Sequence, residues 1–384
     1  MAPSWDLEQF FEGTDEFLEN SVKYLVRNPL VALAILIIIH LGIYFLLRTQ
    51  PPSLHKFNDL KISEIYVYPI KSLRGAQVSE AVATKDGFDY DRRFMLLKVN
   101  DDGIYQNMQV SRIPEMCRFL TSITLPSEDS KDSGSINVEF TAPGSSKTNS
   151  ITIPLEPDTT TLPTLEVDLY TSKTQAYKMP SHINAWFTTC FTYPVVLAYL
   201  GPHRRSVLFT DLQPTKSFLP PFSPFTKTPQ IGFADCAPFL LISSTSVADV
   251  SSRLPGALQM DPTKFRPNII LSGAESAWEE DYWSRIDISG TILHTSHNCG
   301  RCASLNVDYN TGKYGTGPEG TVLKLLQKDR RIDIGTKYSP VFGRYSFWDE
   351  GNGGERRLRV GDTARVTRFN VKPTVFSWKA LQKM

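Results

Sequence analysis

The chain of 384 residues is 41% hydrophobic and 21% charged, with 41 basic side chains against 40 acidic ones and a formal net charge of +1. This length suffices for two domains with their own cores, the composition is that of an ordinary globular protein, and the charge balance gives no reason to expect nucleic-acid binding. The balance is uneven, however: residues 1–28 carry six acids against two bases, a net of −4, which leaves +5 for the remainder and suits that part to an anionic ligand or an acidic partner.

Behind this acidic segment lies PLVALAILIIIHLGIYFLL, Pro29–Leu47, with no Asp, Glu, Lys or Arg. Its 19 residues, at about 1.5 Å each, just reach across a hydrocarbon core of about 30 Å. Uniform hydrophobicity without a polar face argues against a buried core helix. An apolar run that starts late and follows acids argues against a signal peptide, and a presequence with one arginine fits no better. Residues 29–48 therefore read as a transmembrane anchor. Lys23 and Arg27 flank one side and Arg48 and Lys56 the other, so flanking charge determines orientation only weakly. The cysteines (Cys117, Cys190, Cys236, Cys299 and Cys302) are odd in number and irregularly spaced, with no disulfide framework. That favours a reducing compartment, with the large C-terminal part facing the cytosol.

From residue 60 the chain turns strand-rich. ISEIYVYPIKS (62–72) alternates, and Pro69 ends the strand or places it at an edge. RRFMLLKVNDDGIYQ reads as a hairpin turning at Asp102-Gly103. Pro126–Ser150 is polar and Ser-rich around one strand-like core, Ile136–Phe140, and reads as a surface loop. HINAWFTTCF fits a short amphipathic helix with Ile183, Trp186, Phe187 and Cys190 on one face, which makes Cys190 a core thiol. Leu212–Gln230 holds five prolines in 19 residues and continues neither helix nor central strand, so it is a linker or lid. PFLLISSTSVADVSSRL follows as a strand and a Ser- or Thr-capped helix. FRPNIILSG is a strand, SRIDISGTILHTS a hairpin around Ser289-Gly290, and GERRLRVGDTARVTRF more strand. The reading is a strand-rich α+β protein: a membrane helix, a first domain over 60–211, the linker 212–230, and a β-barrel-like domain over 231–370.

The chemistry concentrates in HTSHNCGRCASLNVDYNTG (294–312). Zinc would require four ligands; Cys299, Cys302, His294 and His297 lie close, but histidines this near in a strand crowd or diverge, and no second C-x-x-C exists. A redox disulfide would require a helix after the first cysteine to activate it, whereas the following residues read as strand and turn. The third reading is one thiolate holding a cofactor, with arginine serving its phosphate. It leads once distant residues are added: Lys71 and Ser72 in YPIKS, Arg92 and Arg93 in DRRF, and Arg266 in FRPN, because the guanidinium fork matches phosphate.

Taken in order, YPIKS, DGFDYDRRFMLL, PFLLIS, FRPNIILSG, CGRC…NVDYNTG and SPVFGRY resemble a MOSC protein with its N-terminal companion domain, from about Ile62 to Val366. With the anchor, the chain resembles the mitochondrial amidoxime-reducing components. The resemblance implies a MOSC N-terminal-like domain followed by a MOSC β-barrel domain, the molybdenum cofactor (Mo-molybdopterin), and reduction of N-hydroxylated, amidoxime-type compounds. Cys302 matches the molybdenum ligand, and Arg301 the arginine before it, while Cys299 matches a second cysteine that is not a ligand. Lys71, Ser72, Arg93 and Arg266 match residues contacting the pterin and its phosphate, with Asn268 in the same strand and Tyr345 the family's late tyrosine. Asp308 matches an acid that holds the hairpin.

A soft thiolate complements the cofactor's dithiolene sulfurs; the metal takes oxygen from an N–OH group, and two electrons must return. The family implies cytochrome b5 and its NADH-dependent reductase as donors, in keeping with the lack of a haem C-x-x-C-H or a G-x-G-x-x-G motif. It favours the mitochondrial outer membrane over the endoplasmic reticulum. The other reading is a molybdenum-cofactor carrier or sulfurase-like protein without turnover, although no room exists before residue 60 for the aminotransferase-like, pyridoxal-phosphate type of domain that sulfurases carry. Three features depart from the family: Cys236-Ala237 in place of a hydroxyl pair, Gly300 in place of serine, and a longer Pro-rich segment.

Overall fold

The structure, a computed structural model, describes residues 21–48, 60–126, 133–214 and 225–382. Residues 1–54 and 55–384 are two separate units. In the first, a helix spans Pro29–Arg48, and Leu30, Leu36 and Ile38 on it are 81%, 63% and 67% exposed. Among the described residues no single helix is long and apolar enough to cross a membrane; Ser21–Arg27 and Pro29–His40 meet that test only together, as a pair bent by 111°. The acidic stretch up to residue 20 lies outside the described residues.

In the second unit an eight-stranded sheet closes on itself. Its strands are β1 (Leu60–Val67), β2 (Ala76–Val78), β3 (Phe239–Ser243), β4 (Ile269–Ser272), β5 (Trp283–Ile288), β6 (Thr291–Gly300), β7 (Val341–Trp348) and β8 (Thr363–Phe369). The order is β4-β3-β7-β6-β5-β8-β1-β2, and β1 also pairs with β4, which closes the barrel. All pairs are antiparallel except β3 with β4, which are joined by the helix Ser244–Ser252. A parallel pair requires such a crossover, and Ser243 starts it by accepting a hydrogen bond from the Thr245 amide. Alternation fills the barrel with Ile62, Ile65, Phe239, Leu241, Ile269, Trp283, Ile286 and Leu293, all 1% exposed or less.

The intervening chain builds a five-stranded sheet from Thr164–Leu169, Ser172–Lys178, Val195–Tyr199, Phe94–Val99 and Tyr105–Asn107, in that order. The hairpin at Asp102-Gly103 is as read, with Val99 opposite Tyr105 and Gly103 at φ +80°. The segment read as a loop after Pro126 is instead largely sheet. Ser135–Thr141 is the middle strand of a meander with Phe119–Thr124 and Thr148–Pro154, its Ile136, Val138 and Phe140 buried. The helix Ser181–Phe191 buries Ile183, Phe187 and Phe191; Cys190 sits at the edge of that face, half-buried against the same core. Residues 215–224, most of the Pro-rich segment, lie outside the described residues.

Candidate functional site

A cavity of about 440 Å³ is walled by both sheets' connecting segments and by the tail after β8, which contributes Phe376 and Leu381. Two irregularities of β6 bring the cysteines there. Against β7 its register slips between Thr295 and His297 and again between Asn298 and Gly300. Each slip re-aims the side chains that follow. Cys299 is buried, its Sγ hydrogen-bonded to Tyr345 Oη at 3.1 Å. Cys302 follows just before a short 3₁₀ turn (Ala303–Asn306); its thiol is exposed and lies 3.2 Å from Ser304 Oγ.

The opposite wall is cationic. Lys71 Nζ donates to Phe233 O at 2.8 Å and to the Asp235 carboxylate, and the Tyr170 hydroxyl donates to the same carboxylate at 3.1 Å. Asp235 opens onto the cavity with 53% of its side chain exposed. The partial loss of hydration inside the cavity raises its pKa, but Lys71, Arg205 and Arg92 outweigh that and hold the carboxyl at about 2. Ser72, Arg92 and Arg266 all line the cavity with left-handed backbone, at φ 69°, 49° and 56°. Such conformations are costly for non-glycine residues and cluster at ligand sites.

Arg92 and Arg266 both pack on the Tyr68 ring, at 4.4 and 4.5 Å. Arg92 is paired with Asp91 at 2.6 Å, and Asn268 Oδ1 accepts from it at 3.0 Å. Arg266 Nη1 donates to Leu73 O at 2.7 Å, but its Nη2 is buried with no hydrogen-bond partner, as is Tyr68 Oη. Burial, and then the charge of Arg92, pull the Arg266 guanidinium below its ordinary pKa. A buried guanidinium nitrogen without an acceptor, beside a second guanidinium, fits an anionic group such as a phosphate.

Seven of the eight residues singled out from sequence line this cavity: Lys71, Ser72, Arg266, Asn268, Arg301, Cys302 and Tyr345. Arg93 does not. It donates to Gly201 O and packs near Tyr199, and its neighbour Arg92 takes the place in the wall. The left-handed turn at Arg92 decides which of the two arginines turns inward. Arg301 and Asn268 are present in supporting roles. Arg301 donates to the carbonyls of Phe265, at 2.7 Å, and Phe342, at 2.9 Å; Asn268 accepts from Arg92 and the Leu240 amide and donates to Tyr66 O. Sequence reasoning missed Gln109, Tyr170 and Asp235, which form a hydrogen-bonded file to Lys71. Asp235 directly precedes Cys236-Ala237 beside PFLLIS, the one available signal.

His294 is bonded to Asp349 at 2.7 Å, and His297 stacks on Phe209 with Asp211 at 3.1 Å. Among the described residues no three His, Cys, Asp or Glu side chains converge to hold a metal ion, and all five cysteines are free thiols. Asp308 caps its hairpin, accepting from Asn310 N and Thr311 Oγ1 at 2.9 Å each. Cys236 is buried in the wall, where burial first and then Asp235 push its thiol up. A Cβ at Gly300 would meet Ser339 Cβ at 3.6 Å, an ordinary contact, so space does not demand glycine there.

This barrel and cavity define a MOSC-domain protein: residues 228–365 match the MOSC domain and residues 59–194 the MOSC N-terminal beta barrel domain. The chain is 28% identical over 324 residues to mitochondrial amidoxime-reducing component 1 of Mus musculus, covering 82% of this chain and 85% of that protein. To the Homo sapiens component 1 it is 28% identical over 312 residues, 78% of this chain and 81% of the other. It is also 25% identical over 289 residues to the molybdenum cofactor sulfurase of Oryza sativa subsp. japonica, 72% of this chain but 32% of the sulfurase.

Proposed function

We propose that the protein is a molybdenum-cofactor enzyme that reduces N-hydroxylated, amidoxime-type compounds with electrons from cytochrome b5 and its reductase. One observation carries this reading: a single exposed thiol, Cys302, shares a cavity with Lys71, Arg92 and the unpartnered Arg266 Nη2. A soft sulfur donor and an anion cradle are what a metal-bearing, phosphate-tailed cofactor requires of its protein. The names of the amidoxime-reducing relatives support the same assignment.

When bound, the cofactor would supply a metal that accepts an oxygen atom and cycles by two electrons. Cys302 would hold the metal, and Arg92 and Arg266 the phosphate, with Lys71 able to turn from Asp235 toward an anion. Cys299, tied to Tyr345 and buried, shapes the wall and is not a ligand. Asp235, ionised and open to the cavity, would accept a hydrogen bond from the amino group of an amidoxime.

The pair Ser21–Arg27 and Pro29–His40, apolar enough only together, with leucines and isoleucines exposed on the second helix, supports a membrane anchor. We place the soluble part in the cytosol, at the mitochondrial outer membrane. The alternative, a cofactor carrier without turnover, draws on the likeness to the sulfurase.

The test is molybdenum content of the full chain and of two variants, followed by amidoxime reduction with cytochrome b5, its reductase and NADH. The reading requires near-stoichiometric metal that is lost in Cys302→Ala and kept in Cys299→Ala, together with turnover. Metal without turnover would leave the carrier. A folded protein without metal would end both.

A further inference from the structure

The rim of the cavity beside Cys302 is built from two surface segments that the proposed chemistry does not use. One is the hairpin strand Lys313–Tyr314. Tyr314 is 42% exposed, its hydroxyl donates to Ser111 O, and Ser111 is part of the cavity wall. Cys302 lines the same cavity as Ser111 and Arg112. The other is the turn Ile334–Ser339. Thr336 and Ser339 face the cavity and lie 3.9 and 3.6 Å from where a Cβ of Gly300 would stand. Between and before them Ile334 and Tyr338 turn outward, 79% and 69% exposed.

Large apolar side chains left this open at a cavity mouth mark a contact surface. Cations surround them: Lys313 and Lys337 are exposed beside the two tyrosines, and Arg112 lines both the cavity and the neighbouring groove that holds Lys98, Lys313 and Tyr314. Among the described residues no carboxylate lies within ion-pair distance of Lys98, Arg112, Lys264, Lys313 or Lys337. The one acid in that groove, Glu115, accepts from the Tyr193 hydroxyl at 2.9 Å.

We infer that this collar, Tyr314 and Tyr338 with Lys313, Lys337 and Arg112, is the docking surface for an acidic electron-carrier protein, seated directly over Cys302. The inference rests on the proposed reductase reading, in which the electrons come from another protein. Aromatic and aliphatic contacts at the centre supply affinity, and the ring of cations supplies steering and orientation. Docking over the mouth puts the carrier beside the thiol proposed to hold the metal, and it makes carrier and substrate visit the same opening in turn.

The experiment compares the cofactor-loaded full chain with Lys313→Glu/Lys337→Glu and, separately, with Tyr338→Ala. Turnover of an amidoxime is driven either by cytochrome b5 with its reductase and NADH or by dithionite. We expect kcat/KM for the cytochrome to fall about tenfold in the charge-reversed variant, with a shallower salt dependence, while dithionite-driven turnover stays within about twofold of the parent. Tyr338→Ala should lower cytochrome-driven turnover without changing its salt dependence. Unchanged cytochrome kinetics, or an equal loss with both reductants, would overturn the docking surface. Were the parent to reduce nothing with either reductant, the reductase reading would fall by itself. Calorimetric titration of the cytochrome would then decide docking alone: binding that weakens with salt and is lost in the double variant upholds it, and no binding overturns it.

Discussion

Asn268 Oδ1 lies 3.0 Å from Arg92 Nη1, and together with the bond from Arg92 Nη2 to Arg266 O, at 3.1 Å, it ties Arg92 to the barrel beside the cavity. Asn268 Oδ1 also accepts from the Leu240 amide at 3.2 Å, and the Asn268 amide nitrogen donates to Tyr66 O at 3.3 Å. Removing the side chain leaves several buried groups without partners. Asn268→Ala should therefore cost about 2–4 kcal/mol of stability, read from urea unfolding. It should also weaken inorganic phosphate or cofactor binding, because Arg92 loses its brace.

The two adjacent arginines give a direct contrast. Arg92→Gln strips the buried Asp91 of its ion-pair partner and removes a cavity cation. It should destabilise the fold by about 3–5 kcal/mol and abolish metal loading. Arg93→Gln, outside the cavity, should change stability by less than about 1 kcal/mol and leave metal content unchanged. Loss of metal in Arg93→Gln alone would reverse the assignment.

Thiol labelling should separate the cysteines. Cys302 is exposed, Cys117, Cys236 and Cys299 are buried, and Cys190 is half-buried. Burial pushes the Cys117 and Cys190 thiols up to about 11. With Ellman's reagent one thiol should react fast in the native protein, and that phase should vanish in Cys302→Ala. The other thiols should follow only on unfolding. Loaded protein should lack the fast phase as well.

A pH effect on stability comes from Glu280, which is 0% exposed and accepts from Ser246 Oγ at 2.8 Å. Burial, reinforced by Asp281, pushes its carboxyl up from 4.5 to about 7. The folded form thus binds a proton that the unfolded form has released between these values, so stability falls as pH rises from about 4.5 to about 7. Urea titrations across that interval should show the decline, and Glu280→Gln should flatten it.

The sequence was most informative where chemistry and local turns coincide. The hairpins at Asp102-Gly103 and Ser289-Gly290 depend on residues close together in the chain and are found where those residues imply, and Lys71, Ser72 and Cys302, singled out from equally short motifs, line one cavity. What stayed hidden depends on distance or on a single backbone torsion. Nothing local tells Arg92 from Arg93, because the choice is made by a left-handed φ of 49°. Arg301 reads as a phosphate ligand until the carbonyls of Phe265 and Phe342, brought in from other strands, are seen to occupy its donors. Phe376, 3% exposed, follows the last recognisable motif, so its place in the cavity wall could be found only in three dimensions.

The closure of the barrel bears on how the protein is made. Leu60 of β1 stands opposite Ala364, and Ile65 opposite Ile269. A chain emerging from the ribosome N-terminus first can pair β1 with β2 at once, but β1 must wait for β4 and, until nearly everything else has been synthesised, for β8. The sheet built from residues 94–199 has all its strands by then and can form early, while Lys71 and Cys302 meet only after the late strands arrive. The cavity is therefore the last part of the molecule to exist. Truncation a few residues before Thr363 should yield a protein with an intact first sheet that can never take up a cofactor.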